Sequence, residues 1–181
     1  MRKTRVKQTV LLMLRDVVII FAAFLVISLF VRPIVVNQIS MSDTFEEGDY
    51  VILSKVAYVG ESSPHTFDIV VFSSDRIDAD GKRMNLIKRV IAVGGDSISI
   101  SDGAVYLNGQ PLTEPYVPGL QTDGHMDEIL IPEGKFFVMG DNRAASQDSR
   151  SATIGLVDEG DIMGKVVFQV FPLSKFWRVH S

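Results

Sequence analysis

VVIIFAAFLVISLFV, residues 17–31, runs through Arg32–Val36 into NQISMSDTF, residues 37–45, and this passage divides the chain in two. Residues 17–31 carry no charge. With Ile34, Val35 and Val36 beyond Arg32-Pro33, the apolar segment spans about twenty residues, the length a transmembrane helix needs. Arg32 near its end can carry its guanidinium out to the headgroups. The basic residues Arg2, Lys3, Arg5, Lys7 and Arg15 precede the run. The positive-inside bias therefore predicts residues 1–16 in the cytoplasm, 17–36 as a single-pass membrane anchor and 37–181 as an extracytoplasmic domain. Ser40 then lies within a few residues of the point where the chain leaves the bilayer, where a membrane-held substrate would be met. A cleaved secretory leader begins in a similar way but has a shorter apolar region and a small-x-small cleavage pattern. Neither Val35-Val36-Asn37 nor Asn37-Gln38-Ile39 supplies that pattern. A buried core helix is the remaining reading of the same run.

The 181 residues are enough for one anchor and one domain of ordinary size. Six of the 18 lysines and arginines lie in residues 1–36 against Asp16 alone, which leaves the rest of the chain at a net charge of −9. That balance excludes the clustered basic surface of a nucleic-acid-binding protein. There is no cysteine, so disulfides, thiolate zinc sites and a cysteine nucleophile are excluded as well.

Beyond Phe45 the pattern is one of short apolar runs broken by turn residues. Tyr50–Tyr58, Phe67–Phe72, Met84–Val93, Ser97–Ser101, Ala104–Leu107, Phe136–Met139 and Gly164–Phe171 read as strands. Ser73–Arg83 reads as an exposed hairpin tip, Asn108-Gly109 as a tight two-residue turn, and Gln110–Asp127 as an irregular excursion broken by Pro111, Pro115, Pro118 and Gly119. No segment of the domain has convincing helical periodicity. The expectation is a mainly β fold, a barrel or folded sheet rather than a doubly wound one.

Few residues offer chemistry. His65, His125 and His180 lie in loops or at the tail, with no metal-ligand partner at a useful spacing. Lys88 differs, because it interrupts an apolar strand between Ile87 and the Arg89-Val90-Ile91 run. Alternation puts Lys88 and Arg89 on opposite faces, so one of them points inward. A buried lysine loses its charge readily and, once neutral, can activate a serine hydroxyl. A lysine snorkelling at a sheet edge fits the same pattern. Gly140–Arg150, GDNRAASQDSR, packs polar groups densely behind an apolar strand and reads as a hydrogen-bonded loop, braced by Asp141 with Arg143 and by Asp148 with Arg150.

Taken together, these blocks resemble the type I signal peptidases (leader peptidases), in the short single-anchor form typical of Gram-positive bacteria. Ser40-Met41 with Thr44 is similar to the nucleophile motif Ser-Met-x-Pro-Thr, and Gly48-Asp49-Tyr50-Val51 to the block that follows it. Lys88-Arg89-Val90 with Gly95-Asp96 is similar to the lysine block. Gly140–Arg150 matches Gly-Asp-Asn-Arg-x-x-Ser-x-Asp-Ser-Arg at every fixed position, and Gly155-Leu156-Val157 with Ile162–Lys165 follows the closing pattern. The resemblance implies a folded β-sheet or barrel domain behind one N-terminal transmembrane helix. It implies a serine endopeptidase that removes signal peptides from exported preproteins with a Ser-Lys dyad, cutting after small residues in an Ala-x-Ala-like pattern, with no cofactor and no metal. By position, Ser40 would be the nucleophile, with its backbone N–H in the oxyanion hole, and Lys88 the general base. Ser146 would orient the lysine, while Asp141, Asp148 and Arg150 would brace the site. Gln38 stands where the family offers a second oxyanion contact, usually glycine or serine, and Asp43 where it usually has proline. These two departures leave open an alternative that the retained Ser40 and Lys88 argue against, a signal-peptidase-like assembly factor with weak or no peptidase activity that holds pilus or other surface-protein subunits. A self-cleaving repressor-type Ser-Lys peptidase shares the dyad but would need a DNA-binding segment and no anchor.

Overall fold

The computed structural model describes residues 2–60, 62–117, 119 and 122–179; His180 and Pro118 of the readings above lie outside them. The first element is one long helix, α1 (Arg2–Phe30). Its part from Leu11 to Phe30 is apolar and wholly unburied, and its 20 residues reach about 30 Å, the thickness of a bilayer's hydrocarbon core. The helix stops at Phe30 and not at Val36. Pro33 has no N–H to continue it and restricts Arg32 before it. Val31–Val35 instead forms strand β1, antiparallel to β2 (Tyr50–Ser54), from Val31 opposite Ser54 to Val35 opposite Tyr50. β-Branched apolar residues serve a sheet as well as they serve lipid, so hydropathy alone runs the two segments together. The last helical carbonyls find donors in the next strand's end: the Lys55 N–H reaches Phe30 O at 2.8 Å and Lys55 Nζ reaches Ser28 O at 2.9 Å.

The remaining strands are β3 (Ile69–Ile77), β4 (Arg83–Ala92), β5 (Ser97–Ser101), β6 (Ala104–Leu107), β7 (Gln110–Pro111), β8 (Met126–Leu130), β9 (Lys135–Met139), β10 (Val157–Asp158), β11 (Ile162–Phe171) and β12 (Trp177–Arg178). The larger sheet has the order β1-β2-β11-β3-β4-β9-β10, with β12 paired to β11, and the smaller has the order β7-β6-β5-β8. The described pairings are all antiparallel, which makes this the mainly β domain expected. Strands β5 and β6 fall where the sequence puts them, and the turn from β6 into β7 takes left-handed backbone at Asn108 (φ 53°) and Gly109 (φ 73°), as a two-residue hairpin requires. The Ser73–Arg83 tip is shorter than expected, because β3 continues to Ile77 before the chain turns over Asp78–Lys82.

Strand β3 shows why the apolar runs are continuous and not alternating. Ile69 and Val71 pack on one face with Val36, Met41, Phe45, Leu53 and Val166, while Val70 and Phe72 pack on the other with Leu86, Val90 and Val138. A strand covered on both faces must be apolar on both. A third cluster, around Ile98, Ile100, Val105, Ile131 and Phe137, fastens the smaller sheet to the end of the larger. The excursion from Gln110 to Asp127 is not a free loop. It opens as β7 and runs into β8, the Thr122 N–H donates to Gly103 O at 2.9 Å, and Glu114, Val117 and Thr122 are buried.

Candidate active site

Ser40 sits in a single 3₁₀ turn, Ile39–Met41, where the chain leaves β1. Apolar plugs on either side fix that turn: Val36, Met41 and Phe45 are each at most 1% exposed. The N–H groups of Thr44 and Phe45 both return to Met41 O, which closes the turn behind the serine. On β4, period-two alternation puts Met84, Leu86 and Lys88 on one face. With Ser40, Asn37–Ile39, Arg76, Ala145 and Gln147 they line a cleft of about 500 Å³.

Within it Lys88 is 1% exposed, and its Nζ donates to Ser40 Oγ at 2.5 Å and to Ile87 O at 3.2 Å. Burial is the main influence on this amine and pushes it down, because the charged form loses its water. The Asp148 and Asp141 carboxylates pull it back up, the Arg76 and Arg150 guanidiniums push it down again, and it comes to rest at about 8 against 10.5 for a free lysine. As an ammonium, Nζ donates to the serine; once neutral, its lone pair accepts the hydroxyl proton across the same contact. The neutral fraction grows as pH rises through the lysine's own value. Any reaction driven by this pair, measured as kcat/KM, is therefore expected to climb from pH 6, pass half of its maximum near pH 8 and level off toward pH 10. A flat profile over that range would remove the lysine from the role of base.

The Gly140–Arg150 loop closes over this pair. The Asn142 N–H donates to Ser40 O at 3.1 Å and its side-chain amide to Ile39 O at 3.2 Å, while Thr44 Oγ1 donates to Asp141 Oδ2 at 2.5 Å. The serine turn is thus held from both sides. Gly140 lies so close to Ser40 O and to Ser146 Oγ that a β-carbon there would overlap both, which is why the loop needs glycine at that point. Asp148 accepts from the Gly140 N–H at 3.0 Å and from Arg150 Nε and Nη2 at 2.8 and 2.9 Å. Burial alone would raise its carboxyl, but the bound Arg150, the nearby Ser146 hydroxyl and the Gly140 N–H hold it below the usual carboxylate range.

Several sequence expectations need correction. Asp148 does pair with Arg150, but Asp141 pairs with Arg89, in two parallel bonds of 2.9 and 2.7 Å, and not with Arg143. Arg143 turns away to Glu114 and Thr122 of the excursion, and it also donates to Gly140 O at 3.1 Å. Lys88 and Arg89 are both buried, not one of the two, because the strand is covered on both faces. Ser146 Oγ is buried without a hydrogen bond of normal geometry, and it lies near enough to Asp148 to favour that carboxylate. The Gln38 amide donates to Asn85 O at 3.1 Å. His65 and His125 lie in exposed loops and approach Asp68 and Asp127, not Ser40.

The sequence reading assigned no role to Thr44, Arg89 and Asn142, though they stand in the motifs quoted above, and Glu114 carried no signal at all. Arg89 also places its guanidinium over the Tyr116 ring, 3.9 Å from its centroid, so the excursion touches the brace of the site. The adjacency of Arg89 to Lys88 and the density of the Gly140 loop were the available signals. Nothing in the sequence says which distant acid meets which base.

The family model for Signal peptidase, peptidase S26, matches residues 9–171 of this chain. Signal peptidase I of Bacillus licheniformis is 34% identical over 169 residues, covering 88% of this chain and 87% of that protein. Signal peptidase IB of Staphylococcus aureus (strain COL) is 32% identical over 170 residues, covering 84% of each. A crystal structure of a signal peptidase I from Enterococcus faecalis V583 aligns with a TM-score of 0.48 at 28% identity, over 57% of this chain and 97% of that one.

Proposed function

The chain belongs to the signal peptidase family, peptidase S26, and from that premise we propose that Ser40 and Lys88 are the dyad with which it works. It is a membrane-anchored serine peptidase that removes signal peptides from preproteins. Ser40 Oγ attacks the carbonyl of the last residue of the signal peptide, and its proton passes to Lys88 Nζ. The oxyanion forms against the Ser40 backbone N–H, where losing one donor typically costs about 10²–10³ in rate. Lys88 returns the proton to the departing amine, and water, activated by the same Nζ, hydrolyses the ester. Asp148 with Arg150, and Asp141 with Arg89, hold the loop and strand that carry these atoms. The observation that carries the assignment is the 2.5 Å contact between Lys88 Nζ and Ser40 Oγ, both almost wholly buried in a cleft open to solvent.

Helix α1 is the anchor, and the basic residues before Asp16 support a topology with its start in the cytoplasm and the catalytic domain outside. An open cleft with a lysine already poised on the serine favours catalysis, and the assembly-factor alternative gains nothing from it. The test is cleavage of a secretory preprotein by the detergent-solubilised full chain, with Ser40→Ala beside it. The parent is expected to cut after a small residue, and Ser40→Ala to leave less than about one part in 10³ of that rate. Equal cutting by both would remove Ser40 from the mechanism.

A further inference from the structure

Strand β4 is paired with β3 along its length, but β9 covers its other side only from Arg89 to Ala92. From Arg83 to Lys88 that side pairs with no strand among the described residues and forms a sheet edge beside the nucleophile. Asn85 and Ile87, two residues apart, turn their carbonyls to this edge. Ile87 O accepts from Lys88 Nζ, and Asn85 O accepts from the side-chain amide of Gln38 at 3.1 Å. A peptide laid into the cleft in an extended form would add itself to such an edge and needs these backbone groups. The edge is also flanked by two cavities. Met84, Leu86 and Lys88 line the one that holds Ser40, while Arg83, Asn85 and Ile87 line a second of about 470 Å³ on the other face. Gln38 lines both, because its arm crosses between them to reach Asn85 O.

We propose that Gln38 is a latch on the substrate cleft: its amide occupies the Asn85 carbonyl, and a substrate strand binds only by replacing it. The proposal rests on the Ser40–Lys88 reading above and deepens it. It gives Gln38 a role opposite in sign to that of an oxyanion donor. A donor to the oxyanion would speed the chemical step and leave binding alone. A latch opposes binding and leaves the chemical step alone, because the substrate must break one hydrogen bond before making its own. Only a peptide whose backbone pairs with the edge repays that exchange, so the latch favours fully extended segments over partly folded ones.

The experiment uses the detergent-solubilised full chain as parent, Gln38→Gly and Gln38→Ala, with a fluorogenic peptide containing Ala-x-Ala at the cut. The latch predicts that KM falls by about threefold to tenfold in both variants, the worth of one net hydrogen bond, with kcat unchanged within about twofold. On a Ser40→Ala background, where the peptide stays uncut, its Kd is expected to fall by the same factor. A lower kcat at constant KM would make Gln38 an oxyanion donor and overturn the proposal, and so would an unchanged KM and Kd. Gln38→Ala has no donor of its own and is too short to reach Asn85 O, and it decides the matter if the glycine variant melts well below the parent. Cutting by the Ser40→Ala protein would sink the dyad reading and the latch together, an outcome separate from any effect of Gln38.

Discussion

Lys88→Met is expected to abolish cleavage, by about 10³–10⁴-fold or more, while making the protein more stable at neutral pH. The first effect follows from the removal of the amine that contacts Ser40 Oγ: without a base the hydroxyl keeps its proton, and general-base assistance is typically worth 10²–10⁴ in rate. The second follows from the depressed lysine. In the unfolded chain the amine titrates at its ordinary 10.5, in the fold at about 8. Below pH 8 the folded protein must therefore hold a proton it binds weakly, at a cost of about 3 kcal/mol. Methionine fills a similar volume without that cost. The sign is definite, because between pH 8 and 10.5 the unfolded state binds the proton and the folded state does not, so the parent gains stability as pH rises through that window. The melting temperature of Lys88→Met should exceed the parent's at pH 7, by roughly 2–4 °C per kcal/mol for a domain of this size. The gap should close as pH approaches 10. A variant less stable than the parent at pH 7, with no dependence on pH, would show that the lysine is not held down by burial.

That coupling of low stability to high reactivity explains which parts of the site were legible in the sequence. A lysine inside an apolar strand is a local violation of pattern, and such violations concentrate at working residues. Lys88 was therefore visible without knowledge of its partner. Ser40 was visible only through its place behind the anchor and its motif, since a serine in a polar turn violates nothing. The Gly140 loop announced itself by polar density, but its wiring did not follow from adjacency. Asp141 and Arg143 are two residues apart and point to different partners, Arg89 and Glu114, fixed by strand β4 and by the excursion. In the fold itself, β5, β6 and their turn were legible because turn chemistry and alternation agree there. β1 was not, because Val31–Val35 is apolar for the sheet and reads as apolar for lipid. The short strands β7, β10 and β12, two residues each, carry too little pattern to be seen at all.

Asp141→Ala should unfold the site rather than merely slow it. The carboxylate is completely buried, takes both prongs of the buried Arg89 guanidinium, and receives the Thr44 hydroxyl that closes the serine turn. Removing it leaves a guanidinium with no counter-charge in the core, save the Phe67 carbonyl at 3.0 Å and the face of Tyr116. Breaking a buried pair on one side costs about 3–5 kcal/mol, so the melting temperature should fall by roughly 6–20 °C. The activity that survives should fall by about 10²-fold, because Thr44 loses its anchor and a displacement of the order of 1 Å at the nucleophile suffices for that. Asp141→Asn removes the charge and keeps the shape: its one amide oxygen, at the Oδ2 position, accepts from Arg89 Nη2 and Thr44, while its NH2 faces Arg89 Nε and the guanidinium is left uncompensated. The double variant Asp141→Ala with Arg89→Met separates them the other way, since replacing both ions by apolar groups of similar volume is often neutral or stabilising. The double variant is therefore expected to recover most of the lost stability but not the rate, because Thr44 still has no partner. Equal recovery of both would mean that Asp141 only neutralises Arg89. Recovery of neither would mean that the pair is not the bond that closes the site.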